Sequence, residues 1–214
     1  RTQEYLPSYA VEQIVNNLNP AKIEVRDAAL KVQDRFMRKD NAIKIQYASK
    51  YAGVANYWKK WIGETKGLKK SNAIAAKQKF EKELTEKINK VGKQAEYGNL
   101  LTDFQKNYAE IKEYALARDL FSEVVLRNTE SLQTGYKLYQ LEQILANKGE
   151  QSFTDRKNTL SKGIDAFYKD YNNEVDKNVF EQLIAIYVNK MPKQFLPNGL
   201  ETLNAQQLAN DIYA

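Results

Sequence analysis

Neither histidine nor cysteine occurs in the 214 residues. Histidine is the usual general base, the usual partner of a serine or cysteine nucleophile and the commonest zinc ligand. A histidine-dependent triad or a typical zinc site therefore cannot be complete within this sequence, and no cofactor or metal is expected. A carboxylate pair or a lysine base would remain, but no acidic cluster stands out from a solvated-face pattern. The side chain that merits attention is an amide, Asn56, in the run Asn41 to Gly67. Its oxygen accepts hydrogen bonds and its nitrogen donates them, so it suits either a polar ligand or an interhelical or capping bond. Spacing alone favours the structural use and leaves the ligand open.

The run around it predicts one long helix with two faces. Ile43, Tyr47, Tyr51, Val54, Trp58 and Trp61 recur at steps of three and four, so the large residues share one side. Ala48, Ser49, Ala52, Ala55, Asn56 and Gly63 share the other. Such a helix is built for a close approach at its back, by another helix or by a ligand. Trp58 and Trp61 could line an aromatic wall, but their spacing predicts core packing; Tyr57 points elsewhere.

Few prolines and glycines, and apolar residues at helical spacing, define an all-α class. The expected architecture is an irregular bundle of about seven to nine helices with one long helical hairpin, in a single α-helical domain over residues 1–214. No run approaches the ~20 uninterrupted apolar residues that a membrane span needs. The charge is lopsided: eleven lysines stand against four glutamates between Lys59 and Lys93, with no arginine. An anionic partner could meet that block. Lysine and glutamate alternate there at helical spacing without interleaved aromatics, however, which favours a solvated face and gives no expectation of nucleic-acid binding.

In chain order, Pro7 suits a first helical turn, and Asn19-Pro20 is expected to stop one helix and start the next. The second helix, from Pro20 to Lys39, carries Arg26, Asp27, Asp34, Arg35 and Arg38, expected to pair within it. Asp40-Asn41 should cap the long helix and Ser71 or Asn72 the next, over 72–91. The apolar pattern of 100–127 makes it the expected antiparallel partner of 72–91. Two segments, 129–147 and 154–172, are separated by a stop at Ala146 to Gly149. A more apolar helix spans 175–190, and a short one closes the chain over 204–213.

At Asn56 the sequence meets a known pattern. Ile45-Gln46-Tyr47-Ala48-Ser49-Lys50-Tyr51-Ala52, then Ala55-Asn56-Tyr57-Trp58-Lys59-Lys60-Trp61-Ile62-Gly63 and Gly67-Leu68, closely resemble the helical domain of the bacterial dipeptidyl peptidases 7 and 11. Arg1-Thr2, Tyr5-Leu6, Ser8-Tyr9-Ala10 and Arg26-Asp27 resemble it too, while beyond Leu68 the likeness is one of general helical character. Members of that family are serine exopeptidases that release dipeptides from peptide N-termini, in the periplasm or at the cell surface of Gram-negative bacteria.

The resemblance implies that this chain, which begins at Arg1 rather than Met, is a helical domain inserted into a chymotrypsin-like double β-barrel. The barrel would be its catalytic partner domain and would carry the triad, so this segment would hold no catalytic residue and be inactive alone. By position, Asn56 matches the asparagine that in this family helps bind the terminal ammonium of peptide substrates. The resemblance does not separate the 7-type preference for apolar residues from the 11-type preference for acidic ones, and it leaves a homodimer open. An inserted domain also predicts that Arg1 and Ala214 lie close in space.

Overall fold

A first helix, α1 (Ser8–Gln13), runs through a π-helical turn (Ile14–Leu18) into α2 (Asn19–Lys39) in the computed structural model, which describes residues 5–214. Arg1, and with it the expectation about the termini, lies outside the described residues. Then follow α3 (Asn41–Lys70), α4 (Ala73–Lys90), the single turn α5 (Gln94–Tyr97) and α6 (Leu100–Phe121), which continues into a second π-helical turn (Ser122–Asn128). The chain ends in α7 (Glu130–Lys169), α8 (Asn173–Lys190), two 3-10 turns and α9 (Ala205–Ile212). No strand occurs among the described residues, so the class is all-α as the periodicity predicts.

The expected stop at Asn19-Pro20 does not occur. Asn19 keeps helical dihedrals (φ −65°, ψ −43°). Pro20 stands in the first turn of α2, where a missing N–H is tolerated. Asn19 is fully buried and donates to Glu64 Oε2 at 2.9 Å and Thr65 Oγ1 at 3.1 Å. Tertiary bonds use the polarity that the sequence suggests for a break.

The other boundaries have local causes. Asp40 caps α3, its Oδ1 accepting from Ala42 N at 2.6 Å and Ile43 N at 3.2 Å. Asn72 precedes α4 in the left-handed region (φ 49°) and makes no side-chain cap bond, so the turn comes from its backbone rather than its amide. Within α7 the helix breaks at Gly149 (φ 80°, ψ 176°), inside the predicted stop and in a conformation that suits glycine. Asn172 and Asn204 cap α8 and α9, each accepting a backbone N–H at 3.0 Å.

The residues form two compact units, each drawn from two stretches: Arg1–Ile23 with Trp58–Asp119, and Glu24–Tyr57 with Leu120–Ala214. In the first, α1 packs on α4, and Ala10, Val11, Val15, Trp61 and Ile88 are buried. Glu81 of α4 is buried as well, accepting from Ser8 N at 2.7 Å, Ser8 Oγ at 2.6 Å and Tyr5 OH at 3.3 Å. The start of α1 thus has its orphan N–H met by a distant carboxylate.

The second unit packs α8 against α9 and the second π-helical turn, with Val25, Ala29, Val124, Val175, Phe180 and Leu183 almost wholly buried. Here α7 is capped from afar. Thr129 makes no side-chain cap bond, and the buried Asp176 accepts from Glu130 N at 2.7 Å and Ser131 N at 2.9 Å. Asp176 also accepts from Tyr213 OH at 2.8 Å, which ties the C-terminal segment to the start of α7.

Candidate functional site

The faces of α3 fall largely as their residue sizes predict. Tyr47, Val54 and Trp61 are buried, while Ala48, Ser49, Ala52, Asn56 and Gly63 are exposed; Ala55 departs from the pattern and is buried. The Asn56 side-chain amide makes no hydrogen bond to another described residue. It is therefore not used as an interhelical or capping bond, which was the use that spacing alone favoured. Tyr57 beside it is half-exposed, at 48%. Trp61 packs with Lys22 Nζ 4.6 Å from its ring centroid, and Trp58 is partly buried with Nε1 unpartnered among the described residues.

The second unit fixes the backbone that presents Asn56 at two points. Toward the start of α3, Tyr47 OH donates to Glu130 Oε1 at 2.8 Å, and Lys50 Nζ donates to Glu130 Oε2 at 2.6 Å and also to the carbonyl of Asp170. Burial first, then the Glu130 carboxylate, holds the Tyr47 phenol far above its ordinary pKa, so it stays a donor. Near Asn56, Arg26 donates from Nη1 to the carbonyl of Val54 at 3.3 Å, and its guanidinium lies 5.1 Å from the Tyr57 ring centroid.

Arg26 is itself held by Glu123, through Nε at 2.6 Å and Nη2 at 3.3 Å, with both side chains about 5% exposed. The sequence predicts pairing within α2, and Asp34–Arg38 at 2.7 Å and Asp27–Lys31 at 2.7 Å do pair there. Arg26 instead reaches the second π-helical turn, and Arg35 donates to Asn178 Oδ1 at 2.9 Å. Asn128, which ends that turn, completes the cluster by donating to the Glu123 carbonyl at 2.7 Å and to Glu123 Oε2 at 3.2 Å. Such wide turns often mark functional places, since they shift the side-chain register of a helix.

A cavity of about 590 Å³ opens among these residues, lined by Gln33 of α2, by Lys50, Gly53 and Tyr57 of α3, and by Arg127 and Asn128. Residue spacing did not single out Gln33 or Asn128 as site residues. Gln33 left a signal, a polar residue close to the apolar run Ala29, Leu30 and Val32. Asn128 left none, because its placement depends on a π-helical turn that no periodicity announces.

The chemistry of the side chains around Asn56 and the cavity is mixed. They include amides, paired charges and an aromatic ring, and no histidine or cysteine. No acidic cluster able to hold a metal occurs among the described residues, and no described helix is long and apolar enough to cross a membrane.

Comparison with known proteins gives a consistent set of likenesses. The Peptidase S46 family profile matches residues 1–214. A protein of Flavobacterium psychrophilum named Asp/Glu-specific dipeptidyl-peptidase is 65% identical over 214 residues, covering 100% of this chain and 30% of that protein. One of Porphyromonas gingivalis named dipeptidyl-peptidase 7 is 33% identical over 210 residues, covering 98% of this chain and 28% of its own length. The chain thus spans about three-tenths of the curated relatives it matches. Among solved structures, a crystal structure of Porphyromonas endodontalis DPP11 in complex with the dipeptide Arg-Glu superposes with a TM-score of 0.77 at 18% identity. It covers 99% of this chain and 31% of that one, a likeness of fold.

Proposed function

Since the chain belongs to the Peptidase S46 family, we propose that it is the helical cap of a serine dipeptidyl peptidase and that Asn56 helps bind the substrate's terminal ammonium. The observation that carries this reading is the exposed Asn56 amide, without a hydrogen bond to any described residue, on a stretch of α3 held by Arg26 and Glu130. An ammonium leaving water needs acceptors, and an amide oxygen on a fixed backbone supplies one at no cost in reorganisation. Fixing the amine at a set distance from a nucleophile on the catalytic β-barrel domain would make the enzyme cut after the second residue. Closure of the cap on that domain would bring Asn56 to the amine and exclude water.

In the full-length peptidase, Asn56→Ala is expected to lower kcat/KM on a dipeptidyl reporter by roughly 10- to 100-fold, the worth of one hydrogen bond to a charged group. Wild-type efficiency in that variant would remove Asn56 from the amine site.

The 65% identical relative named Asp/Glu-specific, set against 33% for a dipeptidyl-peptidase 7, supports a preference for an acidic residue before the cut. Reporters ending in Glu should therefore turn over faster than those ending in Leu, and the reverse order would contradict this. A periplasmic or cell-surface location belongs to the same reading; recovery with cytosolic markers on cell fractionation would count against it.

A further inference from the structure

The turn that joins α4 to α6 is held by its own backbone, yet every residue from Asn89 to Leu100 is exposed. Gly92 N donates to the carbonyl of Asn89 at 3.2 Å, Lys93 N to that of Ile88 at 3.0 Å and Gly98 N to that of Gln94 at 2.8 Å. Gly92 has positive φ (69°), and a Cβ at Gly98 would stand 2.5 Å from the Gln94 carbonyl oxygen, so both positions favour glycine. A turn fixed in this way does not need its large side chains for packing. Val91 is 60% exposed, Tyr97 44% and Leu100 40%. Three lysines, Lys87, Lys90 and Lys93, stand among them. Glu96 is the one acid between Lys87 and Leu100, and it is taken by Lys93 at 2.8 Å. Lys87 and Lys90 have no ion pair among the described residues.

The two halves of that composition select a partner. Uncompensated lysines fit an anionic surface, but a nucleic acid would offer Val91 and Leu100 no apolar phase. A lipid surface supplies both at one place, with phosphates for the ammonium groups and acyl chains just beneath for the apolar side chains; tyrosine suits the boundary between them. The helix behind the turn has the same sign of charge, since eleven lysines face four glutamates from Lys59 to Lys93 and one of the four, Glu81, is buried against Ser8. We propose that the turn between α4 and α6 is a reversible anchor on an anionic lipid membrane, with Val91, Tyr97 and Leu100 entering the boundary of headgroups and acyl chains and Lys87 and Lys90 meeting lipid phosphates. None of these residues belongs to α3, so the anchor does not depend on the role of Asn56.

Flotation of the full-length protein with lipid vesicles tests this. Vesicles of phosphatidylglycerol and phosphatidylethanolamine should carry the wild type upward, and phosphatidylcholine vesicles should carry roughly tenfold less or none. Val91→Ser with Leu100→Ser, both at exposed positions, should lower partitioning about tenfold with the denaturant midpoint unchanged. Lys87→Gln with Lys90→Gln should lower it roughly thirtyfold at low salt. A wild type that fails to float with the anionic vesicles, or double variants that both float as it does, would overturn the anchor. Loss in the lysine variant alone would reduce binding to adsorption by charge and overturn entry of the apolar residues. If Val91→Ser with Leu100→Ser instead split an oligomer in sedimentation velocity and left flotation unchanged, the turn would be an interface between copies of the chain and the membrane assignment would fall.

Discussion

Glu81 in the first unit and Glu123 in the second are both almost fully buried, at 5% and 4% exposure, yet they are held in different ways. Glu81 accepts from a backbone N–H and two hydroxyls and closes the start of α1. Glu123 faces the Arg26 guanidinium through two bonds, with Asn128 on the same carboxylate. Glu81 therefore serves as a helix cap that happens to be a carboxylate, whereas Glu123 and Arg26 each keep the other's buried charge compensated. Around them the contrast repeats. The pairs on α4 are solvated, as with Lys79 and Glu83 4.0 Å apart at 80% and 61% exposure, while Lys50 and Glu130 sit 2.6 Å apart and largely covered. Lysines are more numerous in the first unit, where Lys22 and Asp119, 3.3 Å apart, make a largely covered pair, but the two-bond buried pair of Arg26 and Glu123 lies in the second.

The sharpest way to break that contrast is to remove Arg26. Arg26→Ala leaves Glu123 buried without its cation and should cost about 3–5 kcal/mol of stability, read as a lower denaturant midpoint, whereas Arg26→Met with Glu123→Leu should recover most of it. If the single variant lost less than 1 kcal/mol, the pair would not be the anchor described here. Glu81→Ala strands the Ser8 N–H and hydroxyl and should cost about 2 kcal/mol, with amide exchange rising at the start of α1. Protection unchanged there would show that α1 does not depend on its remote cap. Lys79→Gln should move stability by no more than about 0.5 kcal/mol in either direction, and its effect should vanish in high salt. A larger change would mean that the lysine-rich helix is not simply solvated.

Several of these distinctions are legible in the residues and several are not. Asp40 before Asn41 announces a cap, and the structure makes the bond. Gly149 announces a break, and the backbone turns there with positive φ. The cap of α7 could not be anticipated, because Asp176 lies 46 residues from the Glu130 N–H it accepts. The two π-helical turns are likewise silent in the pattern of apolar residues, and without the second one Asn128 has no visible reason to meet Glu123. Asn19 misleads, because an asparagine before a proline has the chemistry of a helix stop and is here consumed by Glu64 and Thr65.

By itself the sequence determined the all-α class, the long helix carrying Asn56 with its large and small faces, and the absence of the histidine that most hydrolytic chemistry uses. Those follow from periodicity and residue type, which act over a few neighbours. Only the tertiary structure decided that Asn56 stays open while Asn19 and Asn128 are buried, that Arg26 leaves its own helix for Glu123, and that the side-chain oxygens of Gln33 and Asn128 are enclosed without a hydrogen-bond partner. An amide or a charge carries the same chemistry wherever it stands. Whether it caps, pairs or waits for a ligand depends on which distant groups the fold brings within about 3 Å of it.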